Sequence, residues 1–157
     1  MNDTVTKTYR IPRQRVSLVR EAFIKSDWKK FSSSTEIRNF AAEHLFDDAD
    51  REFFFVLMLD SKNRLIGVNL VSMGSLNSSI VVARECFKPA IVASAAAVIF
   101  CHNHPSGDAA PSREDRECTQ RLVQAGRILG IRVLDHVICG AGEHFSFADA
   151  GILAQAD

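Results

Sequence analysis

The apolar residues of the chain follow a helical spacing in some stretches and a strand spacing in others. Ile11, Val16, Val19, Phe23 and Ile24 recur near helical spacing, and Trp28 with Phe31 closes that segment before a run of serines. This predicts a first helix. Ser33 and Glu36 have capping-box spacing, and Ile37, Phe40, Ala41 and Leu45 form a helical stripe that the acidic run 47–50 ends. Two short runs rich in Phe and Val follow, EFFFVLMLD and RLIGVNLV, joined by Ser-Lys-Asn. They predict a hairpin of two central strands.

Residues 74–79 have loop composition, and 84–95 is helical in composition, with Pro89 confining or kinking the regular part. AAAVIFCHN, ending at Asn103, is a short strand apolar on both faces and therefore expected to be buried on both. In 112–129, Cys118, Leu122, Ala125 and Leu129 share one face and charges the other, with Gly130 at the stop. IRVLDHVICG and HFSF predict two more strands, and 148–156 a short terminal helix or tail. Helices mixed with a largely hairpin-linked sheet give an α+β sandwich.

Composition narrows the class without deciding the function. The 157 residues are 46% hydrophobic and 24% charged, near the average for one soluble domain. The longest nearly apolar stretch, Ala90 to Cys101, is 12 residues, short of the ~20 a spanning helix needs. The N-terminus lacks the apolar region of a secretory signal, so a cytoplasmic location is expected and no membrane partner. Cys86, Cys101, Cys118 and Cys139 are too widely spaced for a zinc knuckle and too few for a disulfide scaffold, which leaves buried free thiols. The net charge of zero conceals an uneven distribution. The first 38 residues carry nine basic and four acidic side chains, a net +5, and the rest is −5. A basic arm over 1–34 is either a solvated face or a contact for phosphates or an acidic partner.

The chemistry is concentrated in His102-Asn103-His104-Pro105-Ser106-Gly107-Asp108-Ala109-Ala110-Pro111-Ser112-Arg113-Glu114-Asp115. Histidines at i and i+2 on a strand point to one face, because the side-chain period is two. A loop with Pro105, Gly107 and Pro111 turns the chain back, and Asp115 in the first helical turn can return a carboxylate to the same point. Two imidazoles and one carboxylate leave a fourth tetrahedral position open, as in a catalytic zinc site. A capping box of Ser112 and Asp115 accounts for those two residues without a metal. It does not account for two same-face histidines ending a buried strand. His136 is either a satisfied core histidine or a group supporting the site, His44 and His144 lie beside charged residues and are expected at the surface, and Asn103 faces away from the two ligands.

The run H-x-H-x7-S-x2-D, formed by His102, His104, Ser112 and Asp115, resembles the signature of the JAMM (MPN-plus) metalloproteases. The surrounding wording, with its HNHPSG core, is similar to the RadC-type bacterial branch over roughly 35–154. Longer RadC proteins add a helix-hairpin-helix-like region that is not recognisable here, so the short single-domain form is expected, with the domain at 35–157. Where many relatives have His-Pro-Arg-Glu, this chain has Val82-Ala83-Arg84-Glu85.

The resemblance implies a cytidine-deaminase-like JAB/MPN sandwich, a mixed sheet flanked by helices, holding one zinc ion on His102, His104 and Asp115. It implies a metalloprotease that cleaves a peptide or isopeptide bond of a peptide or protein substrate. Ser112 would donate to the developing oxyanion, and Ser106 would contact substrate. The family's catalytic glutamate begins a strand of the form E-x-x-small-x-L. Glu52 has that location, although Phe55 stands where glycine is usual, and Glu85 competes with it. The alternative reading is a non-catalytic module in DNA repair or mobile-element DNA metabolism, supported only by the basic arm. Exposed strand edges suggest a homodimer.

Overall fold

A computed structural model describes residues 10–46, 49–74 and 81–153. Its elements in chain order are α1 (Ser34–His44), β1 (Phe53–Leu59), β2 (Leu65–Met73), α2 (Ala83–Val92), β3 (Ala97–Asn103), α3 (Arg113–Leu129), β4 (Arg132–Cys139) and β5 (His144–Ser146). The strands form one mixed sheet in the order β2-β1-β3-β4-β5. Only β3 and β4 run parallel; the other neighbours are antiparallel. The α+β arrangement expected from the sequence is therefore present, and it is consistent with the JAB/MPN fold.

Alternation along β1 and β3 divides the interior into two cores. Phe54, Val56, Met58, Val98 and Phe100 pack with Cys86, Phe87 and Ala90 of α2 and Cys118 and Leu122 of α3. Leu57, Leu59, Ile99 and Cys101 point the other way, onto Ile37, Phe40 and Ala41 of α1. All seven residues of β3 are buried, as a strand covered on both faces must be. The four cysteines are free and buried. No described helix is long and apolar enough to cross a membrane.

The crossover from β3 through α3 to parallel β4 places the end of β3 beside the start of α3. Gly126 lets α3 lie close to β4, since a Cβ there would meet the Ile131 carbonyl oxygen at 2.5 Å. α3 ends on Gly130, which takes a left-handed conformation (φ 69°).

Several expectations need correction. Residues 10–33 form no helix; Ile11, Val16, Val19 and Phe23 are 76–86% exposed. Nothing among the described residues covers that apolar stripe, and a helix of this length depends on such burial more than on propensity. Only Trp28 and Phe31 reach the core, against Phe40. The hairpin is not central as a pair: β1 is interior, whereas β2 is an edge. Of the two readings offered for 148–156, the described part takes the tail and not the helix: residues 147–151 are turns, with Asp135 and Ser146 bonded to the Ala148 and Asp149 amides. Leu129, placed on the buried stripe, is 45% exposed. His44 packs edge-on against Trp28 and Phe40 and is not a surface residue. His144 is half-buried, with Nε2 2.9 Å from Ser34 Oγ. The expectations for residues 1–9, 47–48, 75–80 and 154–157 lie outside the described residues.

Candidate metal centre

His102 and His104 project from the end of β3 as the period of two requires. The loop after them is fixed by backbone bonds from His104 N to the Cys139 carbonyl (2.9 Å), Gly107 N to the His104 carbonyl (3.0 Å) and Ala141 N to the Gly107 carbonyl (2.8 Å). Gly140 is required there: a Cβ would sit 2.3 Å from the Gly107 carbonyl oxygen. The loop delivers Ser112 as the N-cap of α3 and Asp115 as its third residue.

The capping box forms, and a grouping of side chains that could hold a metal forms with it. Ser112 Oγ accepts from the Asp115 amide (3.0 Å), while Asp115 Oδ2 accepts from the Ser112 amide (2.8 Å) and hydroxyl (2.6 Å). The same carboxylate places Oδ1 3.3 Å from His102 Nε2 and Oδ2 3.4 Å from His104 Nε2. The two Nε2 atoms are 3.0 Å apart. Bonds of about 2.0–2.1 Å at tetrahedral angles separate ligand atoms by about 3.3 Å. The three side chains can therefore hold a metal ion between them.

Each imidazole is oriented by its outer nitrogen. His104 Nδ1 lies 2.7 Å from the Asp108 carbonyl oxygen, which only accepts, so Nδ1 carries the proton and Nε2 presents a lone pair. His102 Nδ1 is 2.8 Å from His136 Nε2. His136 is wholly buried, stacked on Phe147 with centroids 5.1 Å apart and edge-on to Phe54. Its Nδ1 is 2.6 Å from Thr119 Oγ1, which also donates to the Asp115 carbonyl at 2.7 Å.

Burial pushes the His102 imidazole below its usual pKa, and pushes His136 well below. The hydrogen bond to Asp115 raises His104. Burial works to raise the Asp115 carboxyl, but the two imidazoles and Ser112 outweigh it and hold the group far below the usual carboxylate range. Asp115 is thus held as an anion between the two imidazoles.

Glu52 directly precedes β1. Phe54 pairs with His102 at the end of the antiparallel ladder, Glu52 lies two residues before it, and its charge raises the pKa of both histidines. Glu85 is on α2, bonded to Lys88 (2.7 Å) and Arg84 (3.1 Å). Ser106 is exposed, its Oγ accepting from the Asp108 amide at 3.4 Å. Val82, at the head of α2, supplies no capping side chain.

Two residues have roles the sequence pattern did not disclose. Asn103 does face away from the ligands, yet its amide accepts from Phe53 N (2.7 Å) and donates to the Arg51 carbonyl (2.9 Å). It grips the backbone on both sides of Glu52. Thr119 lies among the apolar positions of α3, where a polar residue one turn after Asp115 is the only signal of its bonds.

Residues 31–152 match the family described as the RadC-like JAB domain. The chain is 55% identical over 125 residues to a UPF0758 protein of Trichlorobacter lovleyi, covering 80% of this chain and 54% of that protein. It is 54% identical to a UPF0758 protein of Geobacter sulfurreducens with the same coverage. A UPF0758 protein of Caldanaerobacter subterraneus is 48% identical over 138 residues, 87% of this chain and 59% of the relative. The chain spans about half the length of these curated relatives.

Proposed function

The chain belongs to the RadC-like JAB domain family, and from that premise we propose that it is a zinc-dependent hydrolase of peptide or isopeptide bonds. The observation that carries the reading is the triangle of His102, His104 and Asp115: the two Nε2 atoms are 3.0 Å apart, and the Asp115 carboxylate sets Oδ1 3.3 Å from His102 Nε2 and Oδ2 3.4 Å from His104 Nε2. Two nitrogens and one carboxylate oxygen suit zinc, and three protein ligands leave a position for a reactant. Zinc, when bound, supplies Lewis acidity that polarises a scissile carbonyl and makes a water nucleophilic near neutral pH.

The chain's own residues carry the remaining steps. Glu52 is the general base: its carboxylate accepts a proton from the attacking water and returns one to the leaving amine. Ser112 holds Asp115 in place, and its hydroxyl donates to the developing oxyanion by exchanging the Asp115 acceptor for the substrate's. Ser106, exposed on the loop between His104 and Ser112, contacts the substrate.

The test uses zinc-loaded protein on a proteome-derived peptide library and a lysine-linked isopeptide, read by mass spectrometry. Cleavage by the wild type should fall about 10²- to 10⁴-fold in Glu52→Gln with the zinc content retained, and should be unchanged in Glu85→Gln. Activity that survives Glu52→Gln, or disappears in Glu85→Gln, contradicts the assignment.

A further inference from the structure

Four buried groups connect one proposed zinc ligand to the backbone of another. His102 and His136 are fully buried, Thr119 is 1% exposed and Asp115 6%. Their links measure 2.8 Å from His102 Nδ1 to His136 Nε2, 2.6 Å from His136 Nδ1 to Thr119 Oγ1, and 2.7 Å from Thr119 Oγ1 to the Asp115 carbonyl oxygen. Each proton in this chain has only one place to be. The carbonyl can only accept, so the Thr119 hydroxyl donates to it. Thr119 Oγ1 therefore offers a lone pair to His136, whose Nδ1 must carry the hydrogen. His136 sits between Phe54 and Phe147, and its ring nitrogens meet only His102 Nδ1 and Thr119 Oγ1, so a second proton would be a buried charge with no carboxylate bonded to the ring; the ring is neutral and Nε2 accepts. His102 must then donate from Nδ1, which leaves the Nε2 lone pair facing His104 and Asp115.

We infer that Thr119 and His136 are positioning residues that fix the metal-binding tautomer of His102. The inference rests on the zinc reading above. Without the acceptor at His136, the competing tautomer carries its hydrogen on Nε2 and donates it to Asp115 Oδ1, 3.3 Å away. That hydrogen occupies the nitrogen the metal needs. The direction of the relay is set at Thr119, a residue with no contact to the ligand triangle through its side chain, because only a hydroxyl can donate to the Asp115 carbonyl and accept from His136 together.

Threonine, valine and serine separate this role from simple packing. Valine keeps the shape of threonine and removes the hydroxyl; serine keeps the hydroxyl and leaves a methyl-sized gap. Zinc affinity of the whole chain, measured by competition with a chromophoric chelator, should fall about 10- to 100-fold in Thr119→Val and stay within about threefold of wild type in Thr119→Ser. His136→Phe, which keeps an aromatic ring against Phe147, should lose affinity as Thr119→Val does. Long-range ¹⁵N spectra of the metal-free chain should show His102 protonated at Nδ1 in the wild type and Thr119→Ser, and at Nε2 in Thr119→Val. Unchanged affinity in Thr119→Val, or an equal loss in Thr119→Ser, overturns the relay. A wild-type chain that carries the Nδ1 proton but takes up no zinc also overturns the inference, and locates the failure in the zinc reading.

Discussion

Asp115 meets two demands with one carboxylate. It closes the capping box with Ser112 at the positive end of α3, and it faces both histidines. The capping explanation and the metal explanation, which compete when only the order of residues is known, are satisfied by the same atoms. Spacing alone sufficed for His102 and His104, because alternation along a strand fixes which side chains share a face. It could not reveal Thr119, whose partner His136 is 17 residues away on another element. The buried imidazoles also set a pH dependence. His102 and His136 have folded pKa values below the ordinary histidine value of about 6.5, so below that pH the unfolded chain binds protons that the folded chain refuses. Their contribution is complete above about pH 6.5 and is lost as pH falls, at up to about 1.4 kcal/mol per pH unit for each group. His104 is raised and acts oppositely, but only above about pH 6.5. Thermal melts of the metal-free chain should therefore drop between pH 6.5 and 5, and drop less steeply in His136→Phe. A flat profile would contradict the buried neutral pair.

At the scale of elements, the site depends on how the ends of β1, β3 and α3 are joined. β3 was legible as a short, wholly apolar run, and α3 from its stripe, its Ser112 start and its Gly130 stop. The first helix was not, because a stripe at helical spacing signals a helix only where something covers it, and Ile11 to Phe23 meet no such surface. β2 was recognisable as a strand but not as an edge, since pairing order is a property of the assembled sheet. Asn103 joins β3 to the residues before β1, replacing ladder bonds with its side-chain amide on either side of Glu52. Asn103→Ala removes both bonds and leaves a part-buried amide and carbonyl to find other partners. The expected cost is about 1–3 kcal/mol of stability, measured by urea unfolding. A loss below about 0.5 kcal/mol would show that the amide does not hold this junction.

For the whole molecule, zero net charge is the sum of a basic N-terminal quarter and an acidic remainder, and the centre lies in the acidic part. Three helices and five strands among the described residues make a two-faced sandwich, with α1 on one face and α2 and α3 on the other. The polar groups converge at the end of the parallel pair β3 and β4, where the sheet stops and a loop can bring back a carboxylate. Family membership accounts for this architecture, and His102, His104 and Asp115 form a group that could hold a metal ion, the purpose proposed above. Crystals grown with zinc and measured at the zinc absorption edge test that purpose most directly. The account predicts one anomalous peak per chain, bonded at about 2.0–2.2 Å to His102 Nε2, His104 Nε2 and an Asp115 oxygen, with no fourth protein ligand. The absence of a peak at these three side chains, or a fourth side chain closing the coordination, would contradict it.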